Sequence, residues 1–227
     1  MTIRTRMSKA KQTRRGNSRQ LSRERWIVAA MHMLGERGVE AVRIEALAGK
    51  LRVTKGSFYW HFENRDDLLE GMVRAWEEET RVLLADAASL APGFERLRRL
   101  FELVDRHKGR LPDIAMFSWA RRDPKIARRV EAVETMRIQF LEQVYRNSHT
   151  EANGTTDRAM MHYLCFVGWL DRTSRAPKST PAFRVLSELL AETFAQMDLA
   201  GDAARGDTKR PALSRSKPKT ETRKTAG

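Results

Sequence analysis

Lys55, Ser57, Tyr59, Trp60 and His61 fall within seven consecutive positions of the stretch VTKGSFYWHFENRDDLL, residues 53–69, interleaved with Gly56, Phe58 and Phe62. An ammonium, a hydroxyl, a phenol, an indole and an imidazole are ligands for phosphate, sugar and base edges. If residues 54–62 are helical, Phe58 and Phe62 stand four apart on one face and close a small core with Leu47, Leu51 and Val53. Tyr59 then lies above Lys55, Trp60 above Gly56 and His61 above Ser57. The second face therefore presents Lys55, Gly56, Ser57, Tyr59, Trp60 and His61, and Gly56 lets another backbone come near. On periodicity alone, the same rings fit equally well a helical domain whose surface aromatics pack on the rest of the chain.

The elements that must hold this stretch are helical throughout, and the expected fold class is all-α. In LSRERWIVAAMHMLGERG, Ile27, Ala30, Met31 and Leu34 follow a helical stripe, with Ser22 as N-cap and Gly38 as terminator. Ile44, Leu47, Ala48 and Leu51 give a second helix of about two turns. Thr54 is placed as N-cap of a third, running to His61 or Phe62. Asn64 caps a fourth, with Asp67 three residues on as in a capping box, and that helix reaches about Ser89. A two-turn helix, a short turn and a further short helix make a helix-turn-helix. Ala91-Pro92-Gly93 is the clearest break. Beyond it come stripes from Phe94, from Ile114 and from Asp123-Pro124, where Asp at N-cap and Pro at N1 open a helix. The segment 149–157 reads as a loop. Residues 159–170 are apolar on nearly every side, and a last helix spans about Thr180 to Met197. The domain reading is a basic tail over 1–20, a helix-turn-helix unit over 21–80, a helical bundle over 81–199 and a second basic tail over 200–227.

The net charge of +14 on 227 residues points to a polyanion, nucleic acid first and an anionic membrane surface second, and it is unevenly placed. Residues 1–20 carry seven Lys/Arg and no acid, and residues 200–227 carry eight against three acids. Both ends are poor in apolar residues and read as disordered, either as solvated tails or as nonspecific clamps on the polyanion. Cys165 excludes an intrachain disulfide and, inside an apolar run, reads as a core thiol. No 18-residue apolar run or secretory signal is present, so no membrane partner is expected and the cytoplasm is the default. No nucleophile elbow, P-loop, dinucleotide fingerprint or zinc signature appears, so no enzyme activity and no cofactor are expected. His107, His149 and His162 have no metal-ligand spacing.

Residues 21–72 resemble the N-terminal DNA-binding domain of the TetR family of transcriptional regulators. The resemblance rests on Ala29, Ala30, Leu34, Gly38, Leu47, Ala48, Leu51, Val53, Asn64, Arg65 and Leu68-Leu69, and above all on KGSFYWHF followed by NRDDLL. It implies a recognition helix, Thr54 to His61, in the major groove of double-stranded DNA. Lys55, Tyr59 and Arg65 are then backbone contacts; Ser57, Trp60 and His61 are base-edge contacts; Arg43 and Glu45 lie near the backbone. The chain departs from the family at Arg43, where Thr or Ser usually caps the second helix. It departs again at Arg52, where Gly usually takes positive φ, so that Arg52 either sits strained or alters the turn. The resemblance further implies a homodimer through the last two helices, a palindromic operator, a repressor role and a small-molecule effector. Candidates for the effector pocket are Met116, Phe117, Trp119, Met136, Phe140, Tyr163, Phe166 and Trp169, each of which fits plain core packing as well. The alternative is a nonspecific nucleic-acid binder driven by the basic tails.

Overall fold

The computed structural model describes residues 22–106, 112–148 and 154–206. Residues 1–20 and 207–227, and with them most of both basic tails, lie outside the described residues, as do His107 and His149. Among the described residues there are nine α-helices, one 3₁₀ turn and no strand. The helices are α1 (Arg23–Arg37), α2 (Ile44–Leu51), α3 (Lys55–Tyr59), α4 (Arg65–Ala88), α5 (Phe94–Arg106), α6 (Asp113–Ala120), α7 (Pro124–Ser148), α8 (Thr155–Arg175) and α9 (Phe183–Gly206). The all-α expectation is met. Two ends differ: α8 starts at Thr155, inside the expected loop, and α9 continues to Gly206, past the expected end of the folded bundle.

Local chemistry explains the first four elements. Ser22 occupies the N-cap of α1, but only its carbonyl serves, accepting from Arg25 N–H at 3.1 Å. Gly38 closes α1 with φ 78°, a value that disfavours any side chain. At the end of α2, Arg52 N–H donates to Gly49 O at 3.1 Å and Val53 N–H to Ala48 O at 3.0 Å. This pair of bonds is a Schellman motif, and Arg52 fills its left-handed position at φ 57°, ψ 42°. Of the two outcomes expected for Arg52, the strained one is found. Asn64 Oδ1 accepts from Asp67 N–H at 2.9 Å, and Asp67 Oδ2 accepts from Glu63 N–H at 3.1 Å. That reciprocal cap, one residue displaced from the usual capping box, fixes where α4 begins.

Two apolar cores lie along α4. The first gathers Trp26, Leu47, Phe58, Phe62, Met72 and Val73, and extends into α6 and the first half of α7 through Met116, Trp119, Ile126, Val130 and Val133. The cluster that supports the helix-turn-helix therefore does not stop at residue 80. The second holds Leu84, Phe101, Tyr145, Phe166, Trp169 and Phe183 among others. His162 sits inside it, stacked on Phe101 at 5.3 Å and bonded through Nδ1 to Tyr145 Oη at 2.7 Å.

Arg52→Gly removes the left-handed penalty but adds chain freedom to the unfolded state, so the expected net gain is about 0.5–1 kcal/mol. Arg52→Val should lose stability. Urea midpoints measure both, and a loss with glycine would mean that the arginine side chain holds the turn.

Burial pushes His162 down to about 4 from an ordinary 6.5. Between those values the unfolded chain binds a proton that the folded chain refuses. Its contribution is therefore neutral above about pH 6.5 and increasingly destabilising as the pH falls toward 4, reaching about 3 kcal/mol. Urea titrations across this range should show that slope in the native chain and not in His162→Gln.

Candidate nucleic-acid interface

The sequence makes α3 only five residues long, with its N–H network continued by His61 N–H to Phe58 O (2.9 Å) and Phe62 N–H to Phe58 O (3.1 Å). The expected recognition helix, Thr54 to His61, is thus a short helix with a hydrogen-bonded turn. Its inner face is fixed by ring packing. Phe58 and Phe62 are 0% and 2% exposed, stacked at 5.1 Å, and Phe58 meets the edge of Trp26 at 5.3 Å. Pinning those rings forces Tyr59 and Trp60 outward, at 60% and 77% exposure. A helix that leaves an indole in water beside a phenol presents a contact surface whose apolar area is not used by its own fold.

Lys55, Gly56, Tyr59 and Trp60 share the exposed face, with Thr54 just before them at the N-cap making no side-chain cap bond. Lys55 Nζ lies 2.7 Å from Glu45 Oε1, and both side chains are mostly exposed. The hydrogen bond from Lys55 holds the Glu45 carboxyl below its ordinary value. An exposed pair of this kind is weak, so a phosphate can take over the ammonium at little cost. Glu45 thus holds Lys55 at the exposed face of α3.

Three other expected contacts are placed differently. Ser57 and His61 are half-buried, and Ser57 Oγ and His61 Nε2 are shielded without a hydrogen-bond partner. The i, i+4 rule put them on the outer face, but on this short helix they fall at the edge of the buried Phe58 face. Arg65 donates from Nε to Val42 O at 2.6 Å and from Nη2 to Val39 O at 2.7 Å. It braces the 3₁₀ turn Val39–Ala41 against α4, and those nitrogens are not free for DNA. Arg43, at the N-cap of α2, is exposed and donates from Nε to Glu40 O at 3.2 Å.

In the distal half, a small cavity of about 40 Å³ lies between α4, α5, α6, α7 and α8. Of the expected pocket residues, Tyr163 and Phe166 line it. Met116 and Trp119 instead pack in the first core, Phe140 and Trp169 in the second, and Phe117 and Met136 are partly buried beside them. Trp119 and Trp169 also line an open cleft between α1, α6 and the end of α8. The residues missed are the polar ones, Thr80, Asp113 and Arg137. Arg137 Nη1 is 2.6 Å from Asp113 Oδ1, and Nη2 donates to Thr80 Oγ1 at 3.0 Å. Burial works most strongly against the guanidinium charge, yet the Asp113 carboxylate and the Tyr163 hydroxyl together hold the Arg137 pKa above its ordinary value. Trp76 Nε1–H donates to Asp113 Oδ1 at 3.3 Å, and Tyr163 O–H donates to Glu134 at 2.9 Å. A Pro-Asp at a helix start and a lone arginine between Met136 and Ile138 carry no sequence mark of a buried ion pair.

The outer faces of α8 and α9 expose Met160, Met161, Leu164, Val185, Leu189, Met197 and Leu199. Cys165 is exposed on α8 as well, correcting the core-thiol expectation. The run 159–170 buries one face in its own bundle and leaves a second apolar face uncovered. Among the described residues no group of three His, Cys, Asp or Glu could hold a metal, and no helix is long and apolar enough to cross a membrane.

Residues 27–72 match the family model for bacterial regulatory proteins of the tetR family. The Transposon Tn10 TetC protein of Escherichia coli is 32% identical over 82 residues, which are 34% of this chain and 42% of that protein. The match thus spans less than half of that relative's length. Among solved structures, a transcriptional regulator from Rhodococcus sp. Rha1 superposes with TM-score 0.62 at 18% identity, covering 80% of this chain and 97% of the other. A transcriptional regulator from Saccharomonospora viridis in complex with choline gives 0.59 at 18% identity, covering 75% and 93%. SmeT, the repressor of the Stenotrophomonas maltophilia multidrug efflux pump SmeDEF, gives 0.55 at 19% identity, covering 73% and 84%. At these identities the structural likeness establishes the fold.

A Cβ added at Gly56 would meet nothing nearer than Thr54 Oγ1 at 3.7 Å, so the fold itself does not require glycine there. Gly56→Ala should keep or raise stability, by up to about 1 kcal/mol from helix propensity, while weakening duplex binding through lost close approach. Lys55→Ala should weaken binding to all duplexes alike and lower the salt slope by about one unit. Urea unfolding paired with anisotropy titrations at several salt concentrations separates these effects. Unchanged duplex affinity in Gly56→Ala would remove α3 from the interface.

Proposed function

We propose, from the premise that residues 27–72 are a DNA-binding domain of the tetR family of bacterial regulatory proteins, that the chain is a homodimeric, ligand-responsive transcriptional regulator acting as a repressor in the cytoplasm. The observation that carries this reading is the divided face of α3, with Phe58 and Phe62 buried and Tyr59 and Trp60 in solvent. Lys55 and Tyr59 contact phosphates on either side of the major groove, Trp60 offers its ring to base edges or thymine methyls, and Thr54 and Gly56 give close approach. Arg43 reaches the backbone at the start of α2. Ser57 and His61 act at shorter range, where the helix meets the groove floor, if α3 shifts to expose them.

Dimerisation accounts for the uncovered apolar faces of α8 and α9. A second copy with the same two faces closes a four-helix interface, and the resulting two-fold axis calls for a palindromic operator with half-sites one turn, about 34–36 Å, apart. The cavity between α4 and α8 receives the effector, and α4 carries the change to the helix-turn-helix. Coupling of about 1–3 kcal/mol is enough for a useful switch. A structural neighbour solved with choline supports small-molecule binding by this architecture. The basic segments at both ends add nonspecific phosphate contacts.

Selection of bound fragments from random DNA, followed by footprinting, should give a palindrome protected at concentrations that leave random duplex free. Binding with no sequence preference would favour the alternative, a nonspecific binder driven by the basic tails. The dimer has its own readout: Cys165 should react slowly with a thiol reagent in the native chain and rapidly in Leu164→Arg, with sedimentation showing the loss of the dimer. Equal rates and a monomeric native chain would remove the second copy from the proposal.

A further inference from the structure

Asp113 is the one carboxylate in the lining of the small cavity, and its side chain is 1% exposed. Both of its contacts, from Arg137 Nη1 and Trp76 Nε1, fall on Oδ1. Oδ2 is fully shielded and has no hydrogen-bond partner. Arg137 Nη1 is equally shielded, and its 2.6 Å approach to Oδ1 is a charge contact without hydrogen-bond alignment. One buried acceptor and one buried donor, side by side, therefore edge a space whose other walls are mainly Leu83, Leu84, Leu100, Phe101, Val104 and Leu141. Buried polar atoms in folded proteins are almost always satisfied, so such a pair is a mark of something that binds there.

Resting on the reading of this cavity as the effector site, we infer that the effector is a mainly apolar molecule carrying a hydroxyl group, an alcohol or a phenol, whose O–H donates to Asp113 Oδ2 while its oxygen accepts from Arg137 Nη1. A hydroxyl is the smallest group that does both. An ammonium satisfies Oδ2 and leaves Nη1 unmet. A carboxylate has no proton for Oδ2 and must compete with Asp113 for Arg137, leaving a buried carboxylate unpaired. Tyr163 cannot donate to Asp113 Oδ2, because its O–H is committed to Glu134. The cavity of about 40 Å³ is smaller than such a molecule, so binding requires Leu83, Leu84 and Leu100 to give way while the polar edge stays.

The same edge touches the rest of the fold. Asp113 opens α6, whose Met116 and Trp119 pack in the core under the helix-turn-helix. Trp76, bonded to Asp113, belongs to α4 and to that same core. A hydroxyl that draws Asp113 toward itself pulls on both helices.

The experiment uses the full chain and four eight-carbon probes: 1-octanol, octylamine, octanoate and 1-methoxyoctane. Binding is followed by calorimetry and by tryptophan fluorescence. The expected result is that 1-octanol binds at least tenfold more tightly than 1-methoxyoctane, which cannot donate, and than octanoate, with octylamine between; tenfold corresponds to about 1.4 kcal/mol. In Asp113→Asn the preference for octanol over the ether should shrink to less than about threefold; should that variant fail to fold, the octanol–ether comparison on the native chain decides alone. Binding of the ether or octanoate as tight as that of octanol overturns the hydroxyl assignment and leaves the effector-site reading standing. Absence of binding by all four overturns both.

Discussion

Two phenylalanine rings one helical turn apart set the orientation of the whole N-terminal half. α3 has five residues, far too few to be stable alone, because the cost of nucleating a helix is repaid only over many more. Its conformation exists because Phe58 and Phe62 are driven under Trp26 and against α4. Truncation of a buried phenylalanine costs about 3–5 kcal/mol, several times any propensity term available to so short a segment. Once those rings are fixed, the side chains between and around them have no freedom of direction. Tyr59 and Trp60 point to solvent as a geometric result of Phe58 and Phe62 pointing in.

The anchoring core is not private to the helix-turn-helix. Met116 and Trp119 of α6 and Ile126, Val130 and Val133 of α7 complete it. α4 then runs on into the second core with Leu84 and Ala87. Arg129 on α7 ties that helix to α4, bonding Glu77 through two nitrogens and Glu70 at 3.1 Å. The hydrogen bonds that Arg129 donates to Glu77 and Glu70 hold its pKa above its ordinary value. Close-packed interiors transmit displacement instead of absorbing it, so a change at the N-terminus of α6 has a direct mechanical route to α3.

How far the sequence could be read depended on whether a residue's role was set by its near neighbours. Asn64 and Asp67 cap α4 as their spacing implies, and Arg52 takes the left-handed position that the Schellman hydrogen bonds impose on whatever residue stands there. Those are local constraints. Arg65 was expected as a phosphate ligand from the resemblance; its partners, Val39 and Val42, are more than twenty residues away. Asp113 and Arg137 were invisible for the same reason: charge predicts exposure unless a partner across the bundle is known. Cys165 failed in the opposite sense. An apolar run reads as core, but a helix has more than one face, and here the inner one is filled by His162, Tyr163, Phe166 and Trp169 while Met161, Leu164 and Cys165 look outward.

The uncovered surfaces and the buried polar edge raise the same physical question at two scales. Scattered apolar residues on a surface need no explanation, whereas a run such as Met160, Met161 and Leu164 along one helix, paralleled by Val185 and Leu189 on the next, is a continuous face. Water over that face carries a free-energy cost that a matching face removes. Asp113 Oδ2 presents the inverse case, a polar atom withdrawn from water with no hydrogen-bond partner, beside an Arg137 Nη1 held only by its charge contact to Oδ1. Neither arrangement helps the isolated chain to fold. Both become favourable once a complementary surface or group arrives, and the helices that carry them, α8 and α9 on one side and α4, α6 and α7 on the other, meet around one core. Packing at the α8 face and polar contacts at the α6 start are thus linked through Tyr163 and Phe166, which touch the cavity from the same helix that exposes Leu164.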